Sequence, residues 1–255
     1  MATAGGSLLD HLPKAATQAR FQVAGEKELT SGKFASPESS AALVVKVFGL
    51  FADYSEWLSF PDGFVTLGAA QRVDLEVQMR FPWRGGCHPW LDVAIGDRET
   101  LIGIESKRYG PFRDRKTATL LSVYFRPVWD KAMAPFEAIR GALGARRSFE
   151  CLDAVLLVKH AFGLRTQAQQ QLHVAILCYF YAELQTYPDG RAILVTETQT
   201  HRDELAMFTA EVTVALAEVT FCSLACADLF AHWSTVLGLA DHATAVSARF
   251  DMGAR

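Results

Sequence analysis

The chain has 255 residues, 50% of them apolar and 21% charged, with 18 Gly and 9 Pro. That is the make-up of a water-soluble globular protein, and it excludes a disordered tail, a collagen-like fibre and a disulfide miniprotein. With 25 Lys and Arg against 28 Asp and Glu the net charge is −3, so no global basic field draws the chain to nucleic acid.

The first 35 residues, with Gly5-Gly6 and Ser31-Gly32 as breakers, read as a lead-in with one short helix. They lack the basic start and apolar run of an export signal, and acids and amides interrupt the longest apolar runs before bilayer length. The sequence thus reads as cytoplasmic, with no membrane partner. At Ser36-Pro37-Glu38 an N-cap, a first-turn proline and an acid at the positive end of the dipole predict a helix from Pro37 to about Leu58. Leu43, Val47, Leu50 and Phe51 form its apolar stripe. After the Phe60-Pro61-Asp62-Gly63 turn the period shortens to two. Val73, Leu75, Val77 and Met79 alternate with Asp74, Glu76, Gln78 and Arg80, a half-buried strand.

Two more strands, Trp90 to Gly96 and Leu101 to Lys107, flank the turn Asp97 to Thr100. Helices follow over about 117–143 and 149–165, then an apolar strand from His173 to Glu183 and a turn at Tyr187-Pro188-Asp189-Gly190. A strand at Ala192 to Thr196, a helix from about Arg202, a strand near Phe221 to Cys226 and a helix from about Asp228 complete the pattern. No repeat or linker divides it. The expectation is one α/β domain over 36–236, a central mixed sheet flanked by helices, with 237–255 as a C-terminal tail. The five cysteines (Cys87, Cys151, Cys178, Cys222, Cys226) form no CxxC pair, which indicates neither a zinc knuckle nor a disulfide framework.

The chemistry concentrates in the second and third strands. If Gly96 pairs with Leu101 across the turn, Asp92 falls opposite Glu105 on one face, and Lys107 joins that face by the period of two. Leu91, Val93, Ile95, Ile102 and Ile104 form the other, wholly aliphatic face. Ala94, Gly96 and Gly103 leave room for a ligand beside the acids. Two carboxylates held close repel unless a cation sits between them. Mg²⁺, or Mn²⁺, takes oxygen ligands and keeps several waters, so Asp92, Glu105 and the Ser106 backbone carbonyl form a candidate metal site. Lys107 can orient or deprotonate an attacking water, or stabilise charge growing on phosphoryl oxygens.

The order helix, strand, strand bearing Asp and strand bearing Glu-x-Lys resembles the PD-(D/E)xK nuclease superfamily, the restriction-endonuclease-like fold. SSAALVVKVFG, LDVAIG with LIGIESKRYGPF, LLVKHAFGL and ILCYFYAEL are similar to a bacterial group of restriction-endonuclease-like proteins. The resemblance spans roughly residues 36 to 235. It implies a restriction-endonuclease-like core, metal-dependent hydrolysis of phosphodiester bonds, metal ligation by Asp92 and Glu105, and Lys107 as the catalytic lysine. Pro89 stands three residues before the aspartate instead of adjacent to it.

Glu76, on the polar parity of the preceding strand, is a further candidate ligand, and Glu38 a candidate helix acid. Local charge then revises the global average. Lys107, Arg108, Arg113, Arg115 and Lys116 face a single acid within 107–116, a local net of +4, whereas 197–228 carries six acids and one arginine. The basic run leaving the hairpin, Arg108, Arg113, Arg115 and Lys116, is the expected grip on a nucleic-acid backbone. The expected partner is DNA, with RNA the other polymer, and a homodimer is one route to double-strand cleavage. The alternative is a catalytically inactive nuclease-like module that binds nucleic acid or a protein. Cys87-His88 reads as an inert loop, and His160 as surface or packing.

Overall fold

The computed structural model describes residues 36, 38–65, 67–83, 88–113, 116, 120–129, 131–145, 147–214 and 217–250. The expected lead-in, Pro37, Cys87 and Arg115 lie outside them. The first helix, α1 (Ser40–Phe48), is capped by Ser39, whose hydroxyl accepts the Ala42 N–H at 3.0 Å. Ser36 instead accepts from Glu38 N. The α-helix closes at Gly49, a poor helix former, and the rest of the expected span is two 3₁₀ turns, Gly49–Ala52 and Ser55–Trp57.

Strands β1 (Arg72–Gln78), β2 (Trp90–Gly96), β3 (Thr100–Lys107), β4 (Val174–Tyr181) and β5 (Val219–Ala225) form one sheet in the order β1-β2-β3-β4-β5. The first three are antiparallel, and β4 and β5 run parallel to β3, so the chain is α/β with a mixed sheet. Between β3 and β4 come α2 (Gly110–Arg113), α3 (Ala134–Gly144) and α4 (Ala154–Gln171). Helix α5 (Val195–Val212) leads to β5, and α6 (Cys226–Thr235) and α7 (Ala240–Phe250) follow it.

Parity sorts the sheet into two faces. Val73, Leu75, Val93, Ile95, Ile102, Ile104, Cys178 and Phe180 pack with α1, α6 and α7. Ala94, Leu101, Leu177, Tyr179 and Phe221 pack with α3, α4 and α5. Among the described residues no helix is long and apolar enough to cross a membrane.

Three expectations are corrected. Ala192 to Thr196 is not a strand. Ala192 makes one isolated bridge with Thr186, and α5 begins at Val195 because the Glu197 carboxylate accepts the Leu194 N–H at 3.2 Å, capping a helix there. The segment expected as a tail contains α7, whose Val246 and Phe250 are buried and whose His242 Nε2 lies 3.0 Å from the Val47 carbonyl. An amphipathic helix that covers α1 belongs to the core. Gly103 of β3 does not leave room for a ligand either. A Cβ on Gly103 would lie 2.4 Å from Leu91 Cδ1 and 3.2 Å from the Leu164 methyls, so the absent side chain admits Leu91 and α4.

Gly103→Ala must therefore displace Leu91 or α4. It is expected to cost about 1–3 kcal/mol, read as a lower urea midpoint at unchanged slope. A midpoint equal to that of the wild type would refute this packing.

Candidate active site

The β2–β3 register is the predicted one, from Gly96 opposite Leu101 to Val93 opposite Ile104. There the pairing stops, although β2 reaches back to Trp90 and β3 on to Lys107. Beyond it β2 remains paired with β1 as far as Gln78–Trp90, and β3 with β4 as far as Lys107–Tyr181. The sheet thus forks between its second and third strands. Asp92 and Glu105 are the first residues past the fork, one on each prong.

Backbone geometry accounts for the fork. The β1–β2 ladder passes from Leu75–Val93 to Val77–Leu91 and skips the pair between them, Glu76 and Asp92. Glu76 has φ 52°, a left-handed conformation that costs a non-glycine residue about 1–2 kcal/mol. One such residue breaks the alternation of a strand. Val73 and Leu75 accordingly lie in one core face, and Val77 and Met79 in the other. Leu91 also crosses, joining the α4 face, so the predicted aliphatic face loses it. Past the break β2 stays paired with β1, and β3 with β4.

Asp92 occupies the gap this leaves. Its Oδ2 accepts the Ser106 N–H at 2.6 Å, taking the place of a ladder bond. Ala182 N donates to the Lys107 carbonyl at 3.0 Å on the β4 side. Successive peptide groups of a strand point to opposite sides, so Ser106 turns both its N–H and its carbonyl into the fork. Asp92, Glu105 and the Ser106 carbonyl thus border the fork.

Glu105 is 4% exposed. Its Oε1 accepts from Lys107 Nζ, and its Oε2 lies 3.1 Å from Nε2 of His160, off the hydrogen-bonding direction. His160 is fully buried on α4, so of the two expectations, surface or packing, surface is corrected. Its signal in the sequence was its spacing. It stands three residues after Leu157 and four before Leu164, inside the apolar stripe of that helix. Of these side chains Lys107 is the one that reaches solvent, at 18% exposure against 5% for Glu105.

The charges are strongly coupled. Burial, and then the Glu105 charge, raise the Asp92 carboxyl from 3.8 to about 7. Burial opposes ionisation of Glu105 too, but Lys107 and His160 outweigh it and lower that group to about 2. Lys107 loses some proton affinity to burial, yet Glu105 and Asp92 together hold it above its ordinary value, so it is an ammonium. A buried acid made hard to ionise by its neighbouring acid is what a divalent cation would relieve. Hard oxygen donors fit Mg²⁺ or Mn²⁺. Among the described residues no group of three or more His, Cys, Asp or Glu side chains converges to hold a metal. An ion in the fork would thus rest on two carboxylates, a carbonyl and waters.

The other predicted residues are dispersed. Arg108 is 4% exposed, donates to the Phe250 carbonyl at 2.7 Å and lies 4.8 Å from the Tyr109 and Phe250 ring centres. It neutralises the negative end of α7, so its expected contact with a nucleic-acid backbone is corrected. Its backbone N–H is held by Ser40 Oγ at 3.1 Å, which ties the end of β3 to the start of α1. Glu38 pairs with Arg113 instead of turning into the fork. Arg113 and Lys116 line a cleft of about 470 Å³ together with Glu150, Cys151 and Glu197, and Lys116 Nζ donates to the Gly110 carbonyl at 2.7 Å.

Comparisons of the chain with protein-family models, with curated proteins and with solved structures each find no match. What the fork can do must be judged from its own chemistry.

Proposed function

We propose that the chain is a metal-dependent nuclease that hydrolyses phosphodiester bonds, with DNA as its substrate and a restriction-endonuclease-like core. The observation that carries this is the fork between β2 and β3, where the half-buried Asp92, the buried Glu105 and a charged lysine stand at one end of the sheet. The element order supports it: one helix, then three antiparallel strands, the second bearing Asp92 and the third Glu105-x-Lys107, the order on which the PD-(D/E)xK resemblance rests.

When bound, the divalent ion lowers the pKa of a coordinated water and polarises a phosphoryl oxygen. Asp92, Glu105 and the Ser106 carbonyl would hold it. Lys107, kept protonated by both carboxylates, serves as an electrophile facing charge that develops on the phosphoryl oxygens, and not as a base. Its position at the solvent side of Glu105 suits a polymer that approaches from outside. A carboxylate pair has no use in a module that only binds a polyanion, because it repels the ligand.

The test incubates supercoiled plasmid, linear duplex and a labelled single strand with the protein in Mg²⁺, Mn²⁺ or EDTA. Cleavage in Mg²⁺ or Mn²⁺ and none in EDTA is expected. Binding in EDTA with no cleavage in either metal would favour the inactive module.

A further inference from the structure

Glu105 is held from two sides, and the two holders differ in kind. Lys107 sits two residues along the same strand on a long side chain that reaches solvent. His160 comes from α4, with no exposure at all, on a helix pinned where Leu157 and Leu164 are buried and Phe162 stacks on Trp129 at 4.3 Å and 5°. Neither ring nitrogen of His160 has an aligned hydrogen-bond partner among the described residues, although Nε2 is 3.1 Å from Glu105 Oε2. A buried imidazole that satisfies neither nitrogen is a burden on the fold, and an apolar residue would serve packing better. The polar group it meets is the carboxylate at the fork.

We propose that His160 is a positioning residue that fixes the orientation of the Glu105 carboxylate for metal binding, an inference that rests on the nuclease function proposed above. A lysine contact alone leaves the carboxylate free to follow a flexible amine. A second contact from a rigid helix, on the other carboxylate oxygen, fixes its plane. Groups that orient a metal ligand in this way set affinity without touching the metal.

The experiment compares the wild type with His160→Leu, which fills the space but offers no donor, and His160→Gln, which keeps an N–H donor. Mn²⁺ affinity is measured by electron paramagnetic resonance at one pH and without DNA, alongside kcat, KM for DNA and the melting temperature. Expected for His160→Leu are Mn²⁺ affinity and kcat each lower by about tenfold or more, KM within about twofold, and recovery of most of both in His160→Gln. If His160→Leu does not fold, His160→Phe takes its place. Wild-type Mn²⁺ affinity and kcat in a variant without a donor overturn the proposal. Equal losses in the donor and donor-free variants, in step with melting temperature, assign His160 to packing and overturn it as well. A wild type that cuts and binds Mn²⁺ while the donor-free variant does both equally well refutes the role of His160 and leaves the nuclease standing. A wild type that does neither refutes both.

Discussion

Asp92→Ala and Lys107→Met are each expected to lower the metal-dependent cleavage rate by about 10³-fold, roughly 4 kcal/mol of transition-state stabilisation. The two losses should differ in kind. Asp92→Ala removes an oxygen from the fork and frees the Ser106 N–H that it holds at 2.6 Å, so metal affinity falls with the rate. Lys107→Met keeps most of the side-chain volume and removes only the charge, so Mn²⁺ should still bind while turnover fails at saturating metal. It also leaves the buried Glu105 carboxylate with His160 alone, and breaking a buried pair costs about 3 kcal/mol. Melting curves must accompany the rates. Single-turnover cleavage of a labelled duplex separates the two cases, and a folded Lys107→Met protein that cuts at the wild-type rate removes Lys107 from the mechanism.

Without metal, the contribution of Asp92 to stability is expected to fall as pH rises from 4 to 7. Asp92 has a folded value of about 7, raised by burial and by Glu105, so the neutral acid favours the folded state. That contribution is complete below the unfolded value of 3.8 and is lost as pH rises through 7, a change of roughly 4 kcal/mol. Glu105 has the opposite sign. Lowered to about 2 against the cost of burial, it contributes stability above 4.5 that is lost as pH falls through 2. Between 4.5 and 7 the Asp92 contribution falls, while that of His201, whose imidazole burial lowers from 6.5 to about 4, rises. Urea unfolding in EDTA at closely spaced pH values measures the net slope, and Asp92→Asn should make it more positive by removing the Asp92 part. Mg²⁺ at pH 8 should raise the melting temperature of the wild type and do so far less in Asp92→Asn. A wild-type slope retained in Asp92→Asn would place its origin elsewhere.

Much of the site was legible in the order of the residues. The change of period from 3.6 to 2 after Gly63 marks β1, and four turn residues between two alternating runs fix Gly96 against Leu101. That register carries Asp92 and Glu105 to the same level of the sheet, because the pairing of a hairpin propagates residue by residue from its turn. Where local rules were extended too far, competing contacts, two near in the chain and one distant, overruled them. The capping pattern at Ser36 lost to Ser39. The apolar run at 192–196 lost to a helix cap. The basic run after Lys107 lost Arg108 to α7, which lies far along the chain and whose last carbonyls need a donor.

What the sequence determined by itself is the local order of the site: a hairpin, its register, and two acids and a lysine at its open end. Only the tertiary structure decided that the two strands diverge just before those acids meet, that α4 brings His160 to Glu105, and that Asp92 resists ionisation while Glu105 does not. The reason is physical. Periodicity and turn geometry depend on neighbours in the chain, whereas burial, charge coupling and the partner of a buried polar group depend on what the folded chain brings alongside.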